Sequence, residues 1–211
     1  MKIYSFETLP STQSYLIKEL KSGKISAPAA VIASQQTDGV GSRDNHWEGG
    51  GGNLFVSIAL READMPSDLI SASASIYFGF LMKEVLLELD KSVWLKWPND
   101  IYLGDNKIGG LITSKILNVF VVGIGINLKK NRNSYSALNT DIKPLILLNI
   151  FLDKLNKMPK WKQVFSQLEI EFKQNRSYIT HKNGVKIDMK DAVLCEDGSL
   201  DVNGEKVYSL R

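Results

Sequence analysis

The sequence predicts an α+β fold, with a mixed or mostly antiparallel sheet, helices on one face, and a small C-terminal β domain. Three observations predict it. Four segments carry apolar residues at helical spacing, short apolar runs bounded by turn residues lie between them, and short β segments follow Gly184. The chain has 211 residues, 44% of them apolar and 23% charged, which suffices for one sizeable domain with a small appendage.

Each element is predicted from its local pattern. The first helix has Ser11 or Thr12 as its cap, and another follows the start signal Pro66-Ser67-Asp68. Turn signals at Asp197-Gly198 and Asn203-Gly204 predict hairpins in the tail. In chain order we predict a helix over 11–22, strands over Ala29–Ser34 and Asn53–Leu60, a helix over Leu69–Leu89, strands over Val93–Trp97, Ile101–Leu103, Ile108–Ile116 and Val119–Ile126, and helices over Pro144–Met158 and Trp161–Tyr178.

The composition argues against several classes of function. The 26 basic residues exceed the 23 acidic ones too little to predict nucleic-acid binding from charge. A single cysteine, Cys195, excludes a disulfide within the chain, and two histidines argue against a zinc site of the usual type. Leu145–Leu152 is far shorter than the roughly 20 residues of a membrane span, and Met1–Pro10 lacks the apolar core of a signal peptide. We therefore expect a cytoplasmic protein.

The common nucleotide and hydrolase motifs are absent from the sequence. It contains no P-loop, no G-x-S-x-G elbow and no H-E-x-x-H. Gly39-Val40-Gly41 and Gly123-Ile124-Gly125 begin like a dinucleotide fingerprint, but neither has the third glycine in place. Any activity must come from a less common arrangement.

A glycine-rich loop, Thr37–Asn53, lies between two predicted strands. It reads TDGVGSRDNHWEGGGGN, and such a loop loses much conformational freedom on ordering. Loops of this kind often close over a ligand, and Trp47 is a large ring that needs something to cover it. The alternative is a disordered surface loop with Trp47 packed onto the core.

The string KWPNDIYLGDNKIGG predicts a β-hairpin that brings Lys107 back toward Asn99 and Asp100. An ammonium, an amide and a carboxylate would then converge, which suits a phosphate and its magnesium ion. Gly109 and Gly110 have no side chains, so a ligand can approach their backbone N–H groups. The alternative is a surface hairpin whose Asp–Lys pair contributes under about 1 kcal/mol.

The string GIGINL, residues 123–128, carries two glycines at alternate positions of an apolar strand. They weaken the strand unless something packs against the bare backbone. Asn127 places a polar group at the end of the strand. The alternative is a core strand that ends in a turn asparagine.

The order of these segments resembles the catalytic region of the biotin–protein ligases (biotin–[acetyl-CoA-carboxylase] ligases). K-W-P-N-D followed by K-x-G-G is highly specific for that family. The matching strings, in the family's order over about residues 6–128, are Ser11-Thr12-Gln13, Gln36-Thr37-Asp38-Gly39, Trp47, Asn53-Leu54, Lys96-Trp97-Pro98-Asn99-Asp100, Lys107-Ile108-Gly109-Gly110 and Gly123-Ile124-Gly125-Ile126-Asn127.

The resemblance implies a fold like that of class II aminoacyl-tRNA synthetases and biotin ligases. It implies a catalytic domain over 1–174 and a small SH3-like domain over 175–211. Because the match begins at Ser11, we expect no DNA-binding domain before it and no repressor function. We further expect a monomer or a weak homodimer, with neither a nucleic acid nor a membrane as partner.

The resemblance also implies a two-step reaction. The carboxylate of biotin attacks the α-phosphate of ATP, which gives biotinyl-5′-AMP and pyrophosphate. A lysine amine of a biotin carboxyl carrier protein, from acetyl-CoA carboxylase or a similar carboxylase, then displaces AMP. The expected ligands are biotin, ATP and Mg²⁺. Two anions must meet, so a positioned cation is required.

Residue roles follow from the same resemblance. Lys107 and Arg43 are the catalytic candidates, and Trp47 matches the aromatic residue that packs against adenine. The expected biotin-binding residues are Ser11, Thr12, Gln13, Gln36, Gly39, Gly41, Lys107, Gly109 and Gly110. The expected ATP-binding residues are Arg43, Trp47, Asn53, Asn99, Lys107 and Asn127, and the expected magnesium ligands are Asp100 and Asn127.

The glycine-rich loop departs from the family's pattern, which reads roughly G-R-G-R-x-G-R. Arg43 is the one loop cation, and Asp44 adds a negative charge. The residues that stand at the arginine positions are Val40, Ser42 and Asn45. We therefore expect the adenylate to be retained less tightly than in arginine-rich relatives.

Two other functions stay open. A lipoate ligase or lipoyl transferase has a related fold, but its pocket need not satisfy a ureido ring. A non-catalytic biotin- or adenylate-binding module is the second, and the presence of Lys107 argues against it. We also expect an edge strand, Ile108–Ile116 or Val119–Ile126, that can pair with another subunit or with the carrier.

Overall fold

The structure, a computed structural model, describes residues 1–41, 46–47, 50–130, 136–182 and 185–208. Seven strands form the central sheet: β1 (Lys2–Leu9), β2 (Ala29–Gln36), β3 (Leu54–Arg61), β4 (Val93–Lys96), β5 (Asp100–Leu103), β6 (Asn106–Ile116) and β7 (Val119–Ile126). Their order is β1-β2-β3-β7-β6-β5-β4. β1 and β2 pair in parallel, and all other neighbours are antiparallel. The predicted mixed, mostly antiparallel sheet is confirmed.

Helices cover both faces of this sheet. They are α1 (Thr12–Lys21), α2 (Ala74–Leu86), α3 (Pro144–Asn156) and α4 (Trp161–Glu171). In β2 the alternation of side chains separates the faces, because Val31 packs with Leu16 of α1 whereas Ile32 belongs to the larger core with α2, α3 and α4. The expectation of helices on one face is therefore wrong for α1. Parallel strands need a crossover connection, and α1 is the crossover between β1 and β2.

The start signal Pro66-Ser67-Asp68 does not begin a helix, and the prediction of one over Leu69–Leu89 is wrong in its first turns. α2 begins at Ala74, after a 3₁₀ turn over Ser71–Ser73. The carboxylate of Asp68 instead accepts hydrogen bonds from the backbone N–H groups of Trp161 (3.0 Å) and Lys162 (3.1 Å). Asp68 thus caps α4, a helix distant in sequence.

Two small sheets follow α4. One consists of β8 (Ile179–Lys182) and β9 (Val185–Asp188), the other of β10 (Val193–Leu194), β11 (Leu200–Val202) and β12 (Glu205–Val207). The tail packs on the main body as expected, because Met189 and Val207 join the main core and the Trp97 indole donates to the Gly198 carbonyl at 2.9 Å. A 3₁₀ turn, Phe172–Ser177, runs through the boundary placed at residues 174 and 175, which stays a prediction.

The outer strands of the sheet are β1 and β4, so the edge-strand prediction is wrong for Val119–Ile126, which lies between β3 and β6. β5 pairs with β6 only as far as Gly110. In the part of the chain that the structure describes, the end of β6 therefore has a strand partner on one side only. The β4 edge is covered by Asn175, whose side-chain amide accepts from the Trp97 N–H (2.6 Å) and donates to the Leu95 carbonyl (3.3 Å).

None of the helices within the described ranges has the length and apolar character needed to cross a membrane.

Candidate active site

A cleft opens on the α1 side of the sheet, above β3, β7 and β6, and encloses about 440 Å³ including its mouth. It brings together most of the residues singled out from the sequence. Those that line it are Ser11, Thr12, Gln13, Gln36, Gly41, Trp47, Asn99, Asp100, Lys107 and Gly110. We call the part formed by Asn99, Asp100, Lys107 and Gly110 the hairpin end, and the part formed by Ser11, Thr12, Gln36 and Ser57 the α1 end.

A β-bulge turns Lys107 toward the cleft. β5 pairs Ile101 with Gly109 and Tyr102 with Lys107, so Ile108 is an extra residue on β6. An extra residue shifts the alternation of side chains, and Lys107 therefore shares a side of the strand with Gly110. A Cβ atom on Gly110 would lie 3.5 Å from Lys107 Cε.

The predicted convergence at the hairpin end is confirmed. Lys107 Nζ lies 2.6 Å from Asp100 Oδ1. Asn99 is buried beside them, where its Nδ2 donates to the Leu111 carbonyl at 2.5 Å and its own carbonyl accepts from the Leu111 N–H at 2.9 Å. Asn99 thereby ties the turn before β5 to β6 and fixes the position of Asp100.

Hydroxyl and amide groups meet at the α1 end. Ser11 caps α1 by accepting from the Ser14 N–H at 3.3 Å. The N–H and the hydroxyl of Thr12 both donate to Gln36 Oε1, at 2.8 and 3.0 Å. Thr12 Oγ1 also lies 2.9 Å from the Oγ atom of Ser57.

Ser57 is a cleft residue that the sequence analysis did not identify. It is fully buried on β3 and lines the cleft. Its position within the apolar run NLFVSIAL could have indicated it, because a lone hydroxyl at a buried strand position needs a hydrogen-bond partner.

The bare backbone of β7 is covered, as predicted from the alternate glycines. A Cβ atom on Gly123 would lie 2.8 Å from Gln13 Oε1, and one on Gly125 would lie 2.5 Å from the Trp47 ring. Gln13 Oε1 and Trp47 Nε1 are both buried without a hydrogen-bond partner among the described residues. Buried polar atoms are normally paired, so these two are candidates for ligand contacts.

The glycine-rich loop is described at both of its ends. Val40 and His46 form an isolated antiparallel bridge, and His46 Nδ1 lies 3.2 Å from Asp38 Oδ1. Trp47 enters the cleft beyond this bridge, with its ring centre 5.8 Å from Lys107 Nζ. The catalytic candidate Arg43 lies outside the described residues, as do Ser42, Asp44 and Asn45.

Two of the predicted glycines do not line the cleft. The α-carbon of Gly39 faces the Trp47 carbonyl, and the Trp47 N–H donates to the Gly39 carbonyl at 2.7 Å. A Cβ atom on Gly109 would lie 2.5 Å from Ile126 Cδ1. Close packing within the protein therefore accounts for glycine at both positions.

Asn53 and Asn127 also lie outside the cleft lining. Asn53 Oδ1 accepts from the N–H groups of Leu128 (2.8 Å) and Lys129 (2.9 Å), so it joins β3 to the segment after β7. Asn127 donates its Nδ2 to the Ser136 carbonyl at 3.3 Å. Its Oδ1 is buried without a partner in the described ranges and is free to accept from a ligand or to bind a cation.

The described lining of the cleft contains one acidic and one basic side chain, Asp100 and Lys107. Burial, together with the charge of Asp100, raises the pKa of Tyr102, which therefore stays neutral. Nowhere in the described ranges do three or more His, Cys, Asp or Glu side chains group to hold a metal ion.

Comparison with known proteins identifies relatives. The model of the biotin/lipoate A/B protein ligase family matches residues 5–131. The bifunctional ligase/repressor BirA of Escherichia coli (strain K12) is 36% identical over 154 residues, which cover 69% of this chain and 46% of that protein. The biotin–[acetyl-CoA-carboxylase] ligase of Mycobacterium tuberculosis is 25% identical over 56% of this chain and 46% of its own length. This chain thus spans about half the length of these curated relatives.

Solved structures match over the whole chain. The biotin acetyl coenzyme A carboxylase synthetase of Helicobacter pylori, with bound biotinylated ATP, has a TM-score of 0.93 and 38% identity, and the match covers 98% of this chain and 99% of that one. The biotin protein ligase of Aquifex aeolicus, in complex with biotin and ATP, has a TM-score of 0.70 over 100% of this chain and 98% of that one. At 22% identity, the latter match shows the fold alone.

Proposed function

Because the chain belongs to the biotin/lipoate A/B protein ligase family, we propose that it is a biotin–[acetyl-CoA-carboxylase] ligase. It would activate biotin with ATP and transfer it to a lysine of a carrier protein. One observation carries the proposal. A single cleft contains hydroxyl and amide groups that can form hydrogen bonds with a cyclic urea, and also a lysine that can bind a carboxylate and a phosphate.

The α1 end supports biotin as the substrate. A ureido ring presents two N–H donors and one carbonyl acceptor, and serine, threonine and glutamine side chains both donate and accept. Ser11, Thr12 and Gln36 are of this kind, and Gln13 Oε1, which has no partner among the described residues, adds an acceptor. Lipoate has no ureido group and would leave Gln13 Oε1 without a hydrogen-bond donor, so lipoate ligation is the weaker candidate.

Lys107 would carry the chemistry at the hairpin end. In the first step a biotin carboxylate oxygen bonds to the α-phosphorus and the bond to pyrophosphate breaks. In the second step the carrier's lysine nitrogen bonds to the acyl carbon, the bond to AMP breaks, and the amine loses a proton. Both reactants of the first step are anions, and the ammonium of Lys107 would reduce their repulsion as they meet. Trp47 would pack against the adenine and exclude water.

Mg²⁺ fits this site as an ion held mainly by nucleotide phosphates. Mg²⁺ typically takes one or two protein oxygens and substrate phosphates rather than a cage of carboxylates. The Asp100 carboxylate in the cleft would supply one such oxygen. Asn127 Oδ1, which lies outside the cleft lining and has no partner among the described residues, is the second candidate. When bound, the ion would neutralise phosphate charge that Lys107 alone does not balance.

The remaining parts of the proposal concern partners and location. The carrier would be the biotin carboxyl carrier protein of acetyl-CoA carboxylase or of a similar carboxylase, and the protein would act in the cytoplasm. We propose a monomer or a weak homodimer that binds neither nucleic acid nor membranes.

Pyrophosphate release tests the proposed function. The protein should release pyrophosphate from ATP when biotin is added, and should transfer biotin to a carrier domain. Lipoate replaces biotin in the control. Release driven by lipoate alone would indicate a lipoate ligase, and biotin binding without release would indicate a non-catalytic binding module.

A further inference from the structure

We propose that Ser57 is a positioning residue that holds the Thr12 hydroxyl in place at the α1 end by donating a hydrogen bond to it, and so favours a cyclic urea. This inference rests on the proposed function and extends it to substrate specificity. Ser57 is fully buried, and the other buried side chains of β3 are apolar. A hydroxyl in that setting is unfavourable unless it is hydrogen-bonded, and its partner here is Thr12 Oγ1 at 2.9 Å.

The orientation of Gln36 follows from the backbone of Thr12. A backbone N–H can only donate, so the Gln36 atom that lies 2.8 Å from Thr12 N is the carbonyl oxygen, Oε1. The same Oε1 lies 3.0 Å from Thr12 Oγ1 and cannot donate either. The single hydroxyl hydrogen of Thr12 is therefore directed at Gln36.

The direction of the remaining hydrogen bond is then determined. Because Thr12 has no second hydroxyl hydrogen, Oγ1 must accept in its contact with Ser57, and Ser57 must donate. The hydrogen bonds run from Ser57 to Thr12 to Gln36. Both lone pairs of Gln36 Oε1 are occupied by Thr12, which leaves the Gln36 Nε2 group with its hydrogens to donate.

This directed chain gives the α1 end a fixed set of donors and acceptors. Gln36 offers an N–H donor, Thr12 Oγ1 and Ser57 Oγ keep lone pairs, and Gln13 Oε1 is an unpartnered acceptor within the described chain. A cyclic urea needs one donor for its carbonyl and acceptors for its two N–H groups. Without the Ser57 hydroxyl, Thr12 Oγ1 would still donate to Gln36 but would lose the donor that helps to hold it where it can accept from a ligand.

The first test is steady-state pyrophosphate release by the Ser57→Ala variant of the full chain. We expect the KM for biotin to rise roughly three- to tenfold, because that is the effect of losing one hydrogen bond. The KM for ATP and the kcat at saturating biotin should stay within about twofold of the wild-type values. Ser57→Cys fills nearly the same space with a weak donor, so it should resemble Ser57→Ala if the hydrogen bond matters. A Ser57→Cys variant that behaves like the wild type would overturn the proposal.

Ser73→Ala is the matched control for loss of a buried serine. Ser73 is also fully buried, and its hydroxyl donates to the Asp197 carbonyl at 2.7 Å. Ser73 does not line the cleft. We expect Ser73→Ala to lower the stability and leave the KM for biotin unchanged. An equal rise in KM for both variants would mean that the effect of Ser57→Ala is structural.

The second test is a chemical cycle with two analogues of biotin, the cyclic carbamates in which one or the other ring N–H is replaced by oxygen. In the wild type each analogue should bind more weakly than biotin. One analogue lacks the N–H that faces Thr12, and its loss of affinity relative to biotin should be smaller in Ser57→Ala than in the wild type. For the other analogue, the loss of affinity relative to biotin should be equal in the two proteins. Equal losses in both proteins for both analogues would overturn the inference while the wild type still turned over biotin. A wild type that releases no pyrophosphate with biotin would overturn the proposed function as well.

Discussion

The ammonium of Lys107 lies 2.6 Å from the carboxylate of Asp100, across the β5–β6 hairpin. The Lys107 side chain is 38% exposed, and a pair so open to solvent contributes at most about 1 kcal/mol to stability. The ion pair instead holds the Lys107 side chain in position. A lysine side chain is long and flexible, and without the pair it would have to be ordered when the substrates bind.

Replacing Asp100 by asparagine tests both this positioning and the proposed magnesium contact. We expect kcat/KM to fall several-fold, up to about tenfold, since the exposed pair contributes at most about 1 kcal/mol and the proposed magnesium contact would be weakened as well. The Mg²⁺ concentration for half-maximal pyrophosphate release should also rise. Asp105→Asn is the control, because Asp105 bonds to the Tyr178 hydroxyl at 2.8 Å and does not line the cleft. An unchanged Mg²⁺ requirement would remove Asp100 from the metal site.

The two glycines of β7 offer a paired test of which substrate binds where. An added methyl group at Gly123 meets Gln13, and one at Gly125 meets Trp47. We expect Gly123→Ala to raise the KM for biotin and Gly125→Ala to raise the KM for ATP. Each increase should be about tenfold, because overpacking typically costs ~1–3 kcal/mol. Steady-state kinetics with each substrate varied in turn measures this. The same KM rising in both variants would contradict the assignment of Gln13 and Trp47 to different substrates.

The capping of α4 by Asp68 predicts a pH-dependent stability. Burial opposes ionisation, but hydrogen bonds from the Lys162 and Trp161 N–H groups outweigh it and lower the pKa of Asp68 below its ordinary value of 3.8. A lowered pKa in the folded state means stabilisation that is present above the ordinary pKa and lost as the pH falls through the folded value.

Urea denaturation of Asp68→Ala measures that contribution. We expect a loss of about 1 kcal/mol in the free energy of unfolding at neutral pH, with the difference from the wild type shrinking at pH values below the ordinary pKa. Asp68→Asn keeps a capping side chain without a titrating group, so its loss relative to the wild type should be smaller, and the difference between the Asn and Ala variants should not change with pH. A difference between the wild type and Asp68→Ala that stays constant across the acid range would contradict the linkage.

The composition of the glycine-rich loop predicts leakage of the activated intermediate. Arginines are replaced by Val40, Ser42 and Asn45, so fewer cations are available to hold the adenylate phosphate. Free hydroxylamine should trap more of the adenylate here than in an arginine-rich relative assayed side by side. Equal trapping would show that the missing arginines do not govern retention.

Much of the fold is predictable because its signals are local. Apolar spacing locates the four helices, and the turn at Leu117 and Asn118 separates two strands that pair continuously back to Gly109 and Ile126. β1 is not predicted, because it is an outer strand with exposed residues such as Lys2, Ser5 and Glu7 and so lacks a clear alternation. The misplaced start of α2 has a different cause, since the capping residue Asp68 serves a helix that tertiary contacts bring close.

Parts of the site depend on pairing that no local pattern encodes. The hairpin predicts that Lys107 returns toward Asp100, and it does. The bulge at Ile108 sets which of the two glycines, Gly109 or Gly110, lines the cleft, and a bulge arises from the register with β5. The role of Ser57 cannot be identified from the sequence, because it depends on a contact with Thr12, which lies in α1 and is distant in the chain.

Pyrophosphate release by Lys107→Ala, measured with biotin and ATP at saturation, tests the central claim most directly. Lys115→Ala is the matched control, because Lys115 lies on the same strand and forms an ion pair with Glu62 at 2.5 Å outside the cleft. If Lys107 brings the two anions together, its variant should lose roughly 10²- to 10³-fold or more in rate while the control keeps wild-type activity. Wild-type release of pyrophosphate by a folded Lys107→Ala protein would contradict the account.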